Sequence, residues 1–536
     1  MTRAFFVVAS AVAAIGAVAA AAEPDAEAAR AATVSPATWL ARQPRPAFRP
    51  EHTLPPLTRW GWSLDFETRV EFATHWGYCL ELAGYLNDAL VDRVLAGDPK
   101  DPEARVVEYV ARDPQIFRLQ VLTSRQLPDS ATLPPEAWTH DAEGRLVDGQ
   151  AKSLDGNTWT PGMSLIYSPE APESVWEESG RLQAEPLARL RRKCPITMVL
   201  NGGEYGMAVP GWGQKVWERD PRIVRAKGAR RWADYVSAKL ARSQFLVAEE
   251  IRRAVPDRIL YVYYPAGGVP HRLRSPDWKD WCPGYDDMKP VSDVPNAQTY
   301  YKDFNDGWIA APGGRGDLLT QALNARAQEI SVGMPLSYNW LCGGYKEEPG
   351  AISDPALYVG FLKMYYTAGM LGGNAGYYSY PQTPWGRGFE APFPAHQPPP
   401  WIQQMVALAR VHAQFSFLEH YLREGDLLPG PDRHRWSKDL PAYELPTGDE
   451  NARVVARRLR AKPQWLITAW AADGRERIVS VTIPELGTVR LLARGCGTVH
   501  KATRGAHGPI VAVFDSGDPY WLDGTETPVP PLTQSP

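Results

Sequence analysis

Asn201-Gly202-Gly203-Glu204-Tyr205-Gly206 follows directly on the apolar run 196–200. A carboxylate just past the end of such a run, with three glycines around it, is one that backbone or ligand can approach closely. A second acidic stretch, Tyr300-Tyr301-Lys302-Asp303-Phe304-Asn305-Asp306, closes the run 298–301. Two carboxyl groups flanking one bond have the chemistry to cleave a glycosidic linkage. One protonates the leaving oxygen while the other attacks or activates water. Glu204 and Asp303 are the candidate catalytic pair. Asp306, the other acid at the same place, is expected to bind substrate, and is the alternative second carboxylate. Each has a plainer competing role: a solvated or ion-paired loop Glu, and an Asp that caps a loop.

Other strand-end residues have the chemistry of substrate contacts. Asn201 precedes Glu204. Tyr264 closes the run 259–264, with His271, Arg272 and Arg274 beyond it, a cluster suited to an acidic or sulfated sugar. The run 336–340 ends in Ser337-Tyr338-Asn339-Trp340. Asn339 suits a sugar hydroxyl, and Trp340 suits either stacking on a ring or filling the core. Asp65, Tyr380, Gln382 and Trp385 are further subsite candidates, Trp385 the foremost. The 20 tryptophans and 23 tyrosines of the chain, beside 50 prolines and 45 glycines, favour many shaped loops with aromatic faces.

Other chemistries lack their residues. There is no GxSxG elbow and no HExxH. Gly313-Gly314-Arg315-Gly316 lacks the Lys-Ser/Thr of a phosphate loop. The ten histidines show no metal-ligand spacing, so neither metal nor cofactor is expected. A net charge of −3 offers nothing for nucleic acid. Cys79, Cys194, Cys282, Cys342 and Cys496 are too widely spaced to define a disulfide framework, and buried thiols are the expected state.

Elements must hold these residues in place. Eight strand-like runs are expected at 60–63, 117–122, 164–167, 196–200, 259–264, 298–301, 336–340 and 376–380. Helices lie between several of them, notably 231–255, 317–330, 353–371 and 401–423. Strand–helix alternation predicts parallel strands with crossover helices. The fold class is α/β: a (β/α)8 TIM-type barrel over 51–428, with reactive groups at the C-terminal strand ends. After about Pro429 short runs at 454–459, 465–470, 478–483, 489–492 and 510–514 predict a small antiparallel β-sandwich over 429–536. Ala472-Asp473-Gly474 is read as a tight hairpin between two of them.

Arg3, the apolar stretch 5–20 and the small residues Ala20-Ala21-Ala22 read as a signal peptide over 1–22, followed by a poorly ordered Ala/Pro-rich lead over 23–50. The apolar stretch is short for a membrane span, and no later one reaches that length. A secreted or periplasmic location is expected.

With these features the chain resembles secreted bacterial barrel glycoside hydrolases that carry a C-terminal β-sandwich. The resemblance covers roughly residues 57–525 and rests on the layout and on Asn201…Glu204. In the largest clan of retaining barrel hydrolases, Asn and Glu are adjacent at the end of strand four and a second Glu ends strand seven. Here two glycines separate Asn201 from Glu204, and Asn339 stands where that clan has Glu. The resemblance implies an exported glycoside hydrolase acting on a poly- or oligosaccharide. A non-catalytic glycan-binding barrel and a barrel lyase or transglycosylase are the alternatives.

Overall fold

The computed structural model describes residues 33–59, 64–124, 128–147, 167–202, 217–256, 259–264, 284–303, 306–307, 318–342, 355–375, 389, 391–432 and 439–514. Eight parallel strands carry the first part: β1 (Thr58–Arg59), β2 (Leu80–Tyr85), β3 (Leu119–Ser124), β4 (Met198–Gly202), β5 (Leu260–Tyr264), β6 (Gln298–Asp303), β7 (Ser337–Cys342) and β8 (Met370–Ala375). The main helices between and after them are α1 (Phe66–His75), α2 (Pro102–Arg112), α3 (Glu173–Arg191), α4 (Trp232–Ala254), α5 (Leu318–Ser331), α6 (Pro355–Thr367) and α7 (Pro400–Ser416).

The strands close into a ring. β2-β3-β4-β5 form one ladder and β6-β7-β8-β1 another. A parallel bridge between Leu57 and Tyr78 joins the leads into β1 and β2. The lead into β6 spans the other seam. Asp293 N donates to Tyr261 O of β5 at 2.9 Å, while Pro295 O and Ala297 O accept from Tyr338 N and Trp340 N of β7, each at 3.0 Å. Leu122, Met198, Leu200, Val262, Tyr338 and Trp340, from strands on opposite walls, pack together inside. The barrel is therefore a filled core. Tyr338 Oη and Thr58 Oγ1 share a 2.9 Å hydrogen bond, and Asn374 Nδ2 donates to the same Thr58 oxygen at 3.0 Å.

Five of the expected strands overlap observed ones, while 60–63 and 376–380, which follow directly on β1 and β8, lie outside the described residues. β2 was not anticipated. The run 164–167 contributes Tyr167 alone among the described residues, in an antiparallel bridge with Trp138 outside the barrel. The eighth strand comes earlier than 376–380, which lies outside the described residues. The helix expected to reach residue 371 stops at Thr367, and Gly372-Gly373 belong to β8. A Cβ on Gly372 would stand 2.9 Å from the Tyr338 ring, and one on Gly373 would stand 2.9 Å from Leu341 Cδ1. These glycines let two strands pack closely rather than end a helix. The expected helix 401–423 is broken into α7 and a short turn at Glu419–Glu424.

The lead is a further correction. From Thr33 onward it is structured. Thr33–Val34 pairs antiparallel with Phe393–Pro394, and Pro36–Ala41 is helical with Ser35 as its N-cap. Trp39 and Leu40 are buried, and Trp39 Nε1 donates to Ala395 O at 3.2 Å. Apolar burial orders this segment in spite of its Ala/Pro-rich composition.

The C-terminal domain has two antiparallel layers. β9 (Gly425–Leu427), β10 (Ala452–Leu459), β11 (Gln464–Ala471), β14 (Thr498–Gly505) and β15 (Gly508–Val513) form one sheet, and the hairpin β12 (Arg477–Ile483) with β13 (Gly487–Ala493) forms the other. Val454, Ile467, Val481 and Leu491 meet between them. The turn at Asp473-Gly474 carries the chain from one layer to the other. It is not the hairpin expected there, since β11 and β12 do not pair. Helix α6, with every residue from Tyr358 to Thr367 buried, packs between barrel and sandwich, and one apolar cluster runs through both. No helix among the described residues is long and apolar enough to cross a membrane.

Two buried histidines tie this interior to pH. His412 shares a 2.8 Å hydrogen bond with Tyr366 Oη, and burial pushes it down to about 3. His500 accepts from Leu492 N, and burial pushes it down to about 4. Below the unfolded value near 6.5 the unfolded chain takes up protons that these folded imidazoles refuse. Stability contributed at neutral pH is thus lost as pH falls from about 6.5 towards 4, by up to about 1.4 kcal/mol per pH unit for each histidine. Urea unfolding at stepped pH is expected to show this slope, and His500→Gln to reduce it.

Candidate active site

The C-terminal strand ends stand level around the barrel mouth. Ser124, Gly202 and Tyr264 are Cα partners across β3, β4 and β5. On the far wall, Tyr300 is level with Cys342, and Leu341 with Ala375. The sequence candidates map onto this rim. Gly202 ends β4, two residues before Glu204, which itself lies outside the described residues. Asp303 is the last residue of β6, and Asp306, its antiparallel Cα partner, begins the short return Asp306–Gly307. The backbones of the two aspartates are thus antiparallel neighbours. The backbone of Tyr264 ends β5. His271 and Trp385 lie outside the described residues, as do the side chains of Tyr264, Asp303 and Asp306.

Three candidates turn out to be committed to the barrel wall. Asn201 is buried, and its Nδ2 donates to Tyr261 Oη at 2.8 Å on the helix side of the sheet. Asn339 is buried with its amide used on both sides: Oδ1 accepts from Ala297 N at 3.2 Å and Nδ2 donates to Ser337 Oγ at 2.7 Å. Trp340 is fully buried in the interior layer, so of its two weighed roles packing is the one realised. Alternation accounts for both residues of the pair, because Asn339 and Trp340 point to opposite faces of β7 and neither face at that height is open. Asp65 is a helix cap, its carboxylate accepting from Thr68 N at 2.8 Å and Thr68 Oγ1 at 2.7 Å.

The structure adds charged residues that the sequence reading did not single out. Arg59, the last residue of β1, forms a buried ion pair with Glu81 of β2. Arg69 of α1 grips Glu103 of α2 through two hydrogen bonds, at 3.0 and 2.8 Å, and donates to Glu81 O at 3.2 Å. Glu103 also accepts from Ala83 N at 2.8 Å. Burial raises Glu81, and Arg59 and Arg69 offset part of that rise. The cluster pins β1 to β2. A sequence signal was present: Glu81 stands alone in an apolar run, where a buried carboxylate needs a cationic partner.

A cavity of about 820 Å³ opens at the other end of the barrel, where Thr197, Met198, Leu260 and Tyr338 begin their strands. Asp293, the carboxylate lining it, is occupied by Tyr261 N at 2.7 Å and by Arg252. This end carries no carboxylate pair among the described residues. Cys79 and Cys194 are buried thiols, the first pushed well up and the second up to about 12 by burial, which makes them poor nucleophiles.

No family model matches the chain, and no curated protein matches it in sequence. Solved structures similar to it include a GH27 β-L-arabinopyranosidase from Geobacillus stearothermophilus. The two are 10% identical with a TM-score of 0.39, over 89% of this chain and 97% of that one. A GH36 α-galactosidase from the same organism is 11% identical with a TM-score of 0.40, over 89% of this chain and 57% of that one. An α-amylase from Lactobacillus plantarum is 13% identical with a TM-score of 0.36, over 74% of this chain and 81% of that one.

Proposed function

We propose that the chain is an exported glycoside hydrolase that cleaves a poly- or oligosaccharide with Glu204 and Asp303 as its two carboxyl groups. One observation carries this reading. In the closed parallel barrel, β4 and β6 both end on the C-terminal face, where barrel enzymes hold their reactive groups, and the sequence puts Glu204 two residues after β4 and Asp303 at the end of β6. Two strand ends with one strand between them flank a sugar ring lying across the mouth. That is the geometry in which one carboxyl protonates the glycosidic oxygen while the other meets the anomeric carbon or its attacking water. Export follows from the signal-peptide character of residues 1–22.

With Asn201, Asn339 and Trp340 engaged in the wall, substrate contacts fall to the loops beyond the strands. Tyr264, His271, Asp306 and Trp385 are the proposed contacts. The test is release of reducing ends from a broad polysaccharide panel, with absorbance of the products followed in the ultraviolet. Reducing ends without new absorbance are the expected result. An absorbing unsaturated product would make the chain a lyase. Retention of a polysaccharide without any product would make it a binding protein.

A further inference from the structure

Where the barrel meets the sandwich, two arginines come together in the interior. Arg326 lies on α5 and Arg457 on β10, with 0% and 1% of their surface exposed. Gly369, at φ +113° ahead of β8, sits between them. A Cβ there would stand 3.1 Å from Arg326 Nη2 and 3.3 Å from Arg457 Nη2. The tips of both guanidiniums thus reach the same point.

Their partners are unequal. Arg326 is neutralised: it forms a buried ion pair with Glu329, its Nε donates to Ala368 O at 3.0 Å, and its Nη2 donates to Pro335 O. Arg457 has no ion pair among the described residues, and its Nε and Nη1 are sealed from solvent without a hydrogen-bond partner. Asp426, the carboxylate that acts on it, is an exposed residue of β9 held by Arg460 at 2.8 Å. Burial and the neighbouring Arg326 push Arg457 down to about 9, and it still carries its charge at neutral pH. The junction therefore holds one positive charge in excess, and an uncompensated guanidinium in a protein interior is strongly unfavourable.

We infer that the Arg326–Arg457 junction is a binding site for one halide-sized monovalent anion, which joins the barrel to the sandwich. A single negative charge at the junction cancels the excess, and an unused N–H of Arg457 is free to donate to it. The anion called for is a small one, because packing around Gly369 is close: a Cβ there would also stand 2.8 Å from Pro335 O. Stability should then depend on which anion is present and not on ionic strength alone.

The experiment uses the full chain. Thermal unfolding is followed at fixed ionic strength while sodium chloride replaces sodium gluconate. The expected result is a saturable rise in Tm of about 2 °C or more, absent in Arg457→Met, which keeps the side-chain volume and removes the charge. A wild-type Tm indifferent to chloride overturns the proposal, as does a chloride response that survives in Arg457→Met. Should that variant fail to fold, crystals of the wild-type protein grown in bromide decide the matter. An anomalous peak between the two guanidiniums upholds the site, and its absence there overturns it.

Discussion

Glu204→Gln is expected to lower kcat/KM for polysaccharide hydrolysis on the order of a thousandfold while leaving the folded protein and its Tm intact. The amide keeps the shape of the side chain but can neither give up a proton nor act as a carboxylate nucleophile or base, and acid–base participation of this kind is worth about 10²–10⁴ in rate. Substrates with an activated aryl leaving group separate the two possible roles. Such a group departs without protonation. If Glu204 is the general acid, the variant keeps much of its activity on the aryl glycoside and loses it on the natural linkage. If Glu204 is the nucleophile, both are lost.

Asp303→Asn should produce a comparable loss. Asp303 ends the parallel ladder of β6, whereas Asp306 has already turned onto the antiparallel return. Asp306→Asn is expected to raise KM with a smaller effect on kcat, as removal of a binding contact does. A collapse of kcat in Asp306→Asn with Asp303→Asn active would exchange the two assignments. The pair is read most cleanly from kcat and KM determined separately for all three variants.

The barrel was legible where strands are β-rich apolar runs bounded by glycine or acid. Ile196-Thr197-Met198-Val199-Leu200 and the run ending in Tyr264 fall within two residues of β4 and β5. β2 was hidden because Leu80-Glu81-Leu82-Ala83 is made of good helix formers and contains no β-branched residue. Its strand conformation comes from tertiary partners, Arg59 on Glu81 and Glu103 on Ala83 N, that no local pattern displays. β14 escaped for a similar reason. It reads as polar, yet His500 is buried in it and pairs with a backbone N–H. Of the β-prone run 164–167 only Tyr167 is described, and it pairs with Trp138 rather than with a barrel strand. The candidate acids were chosen as strand-end residues, an argument that needs only the order of strands. Which way a side chain faces depends on register, and register placed Asn201 and Asn339 in the wall rather than in the mouth.

The largest expected loss of stability comes from the group that makes β2 possible. Arg69→Met should destabilise the protein by about 3–5 kcal/mol. Arg69 and Glu103 are each nearly sealed, with side chains 3% and 4% exposed, and their two hydrogen bonds form a fork. Methionine fills most of the volume, so the loss is not one of packing. What remains is a buried carboxylate with Ala83 N as its remaining donor, and Glu81 deprived of one of its two cations. The variant Glu103→Gln is milder in charge but leaves Arg69 short of its partner. The double variant Arg69→Met/Glu103→Leu removes both charges together, and should recover much of the loss, because an apolar pair of similar volume can replace a buried ion pair at little net cost. Chemical denaturation of Arg69→Met, Glu103→Leu and the double variant closes the cycle. A coupling of several kcal/mol identifies the pair as the lock on β2, whereas single-variant losses that simply add would assign the effect to packing alone.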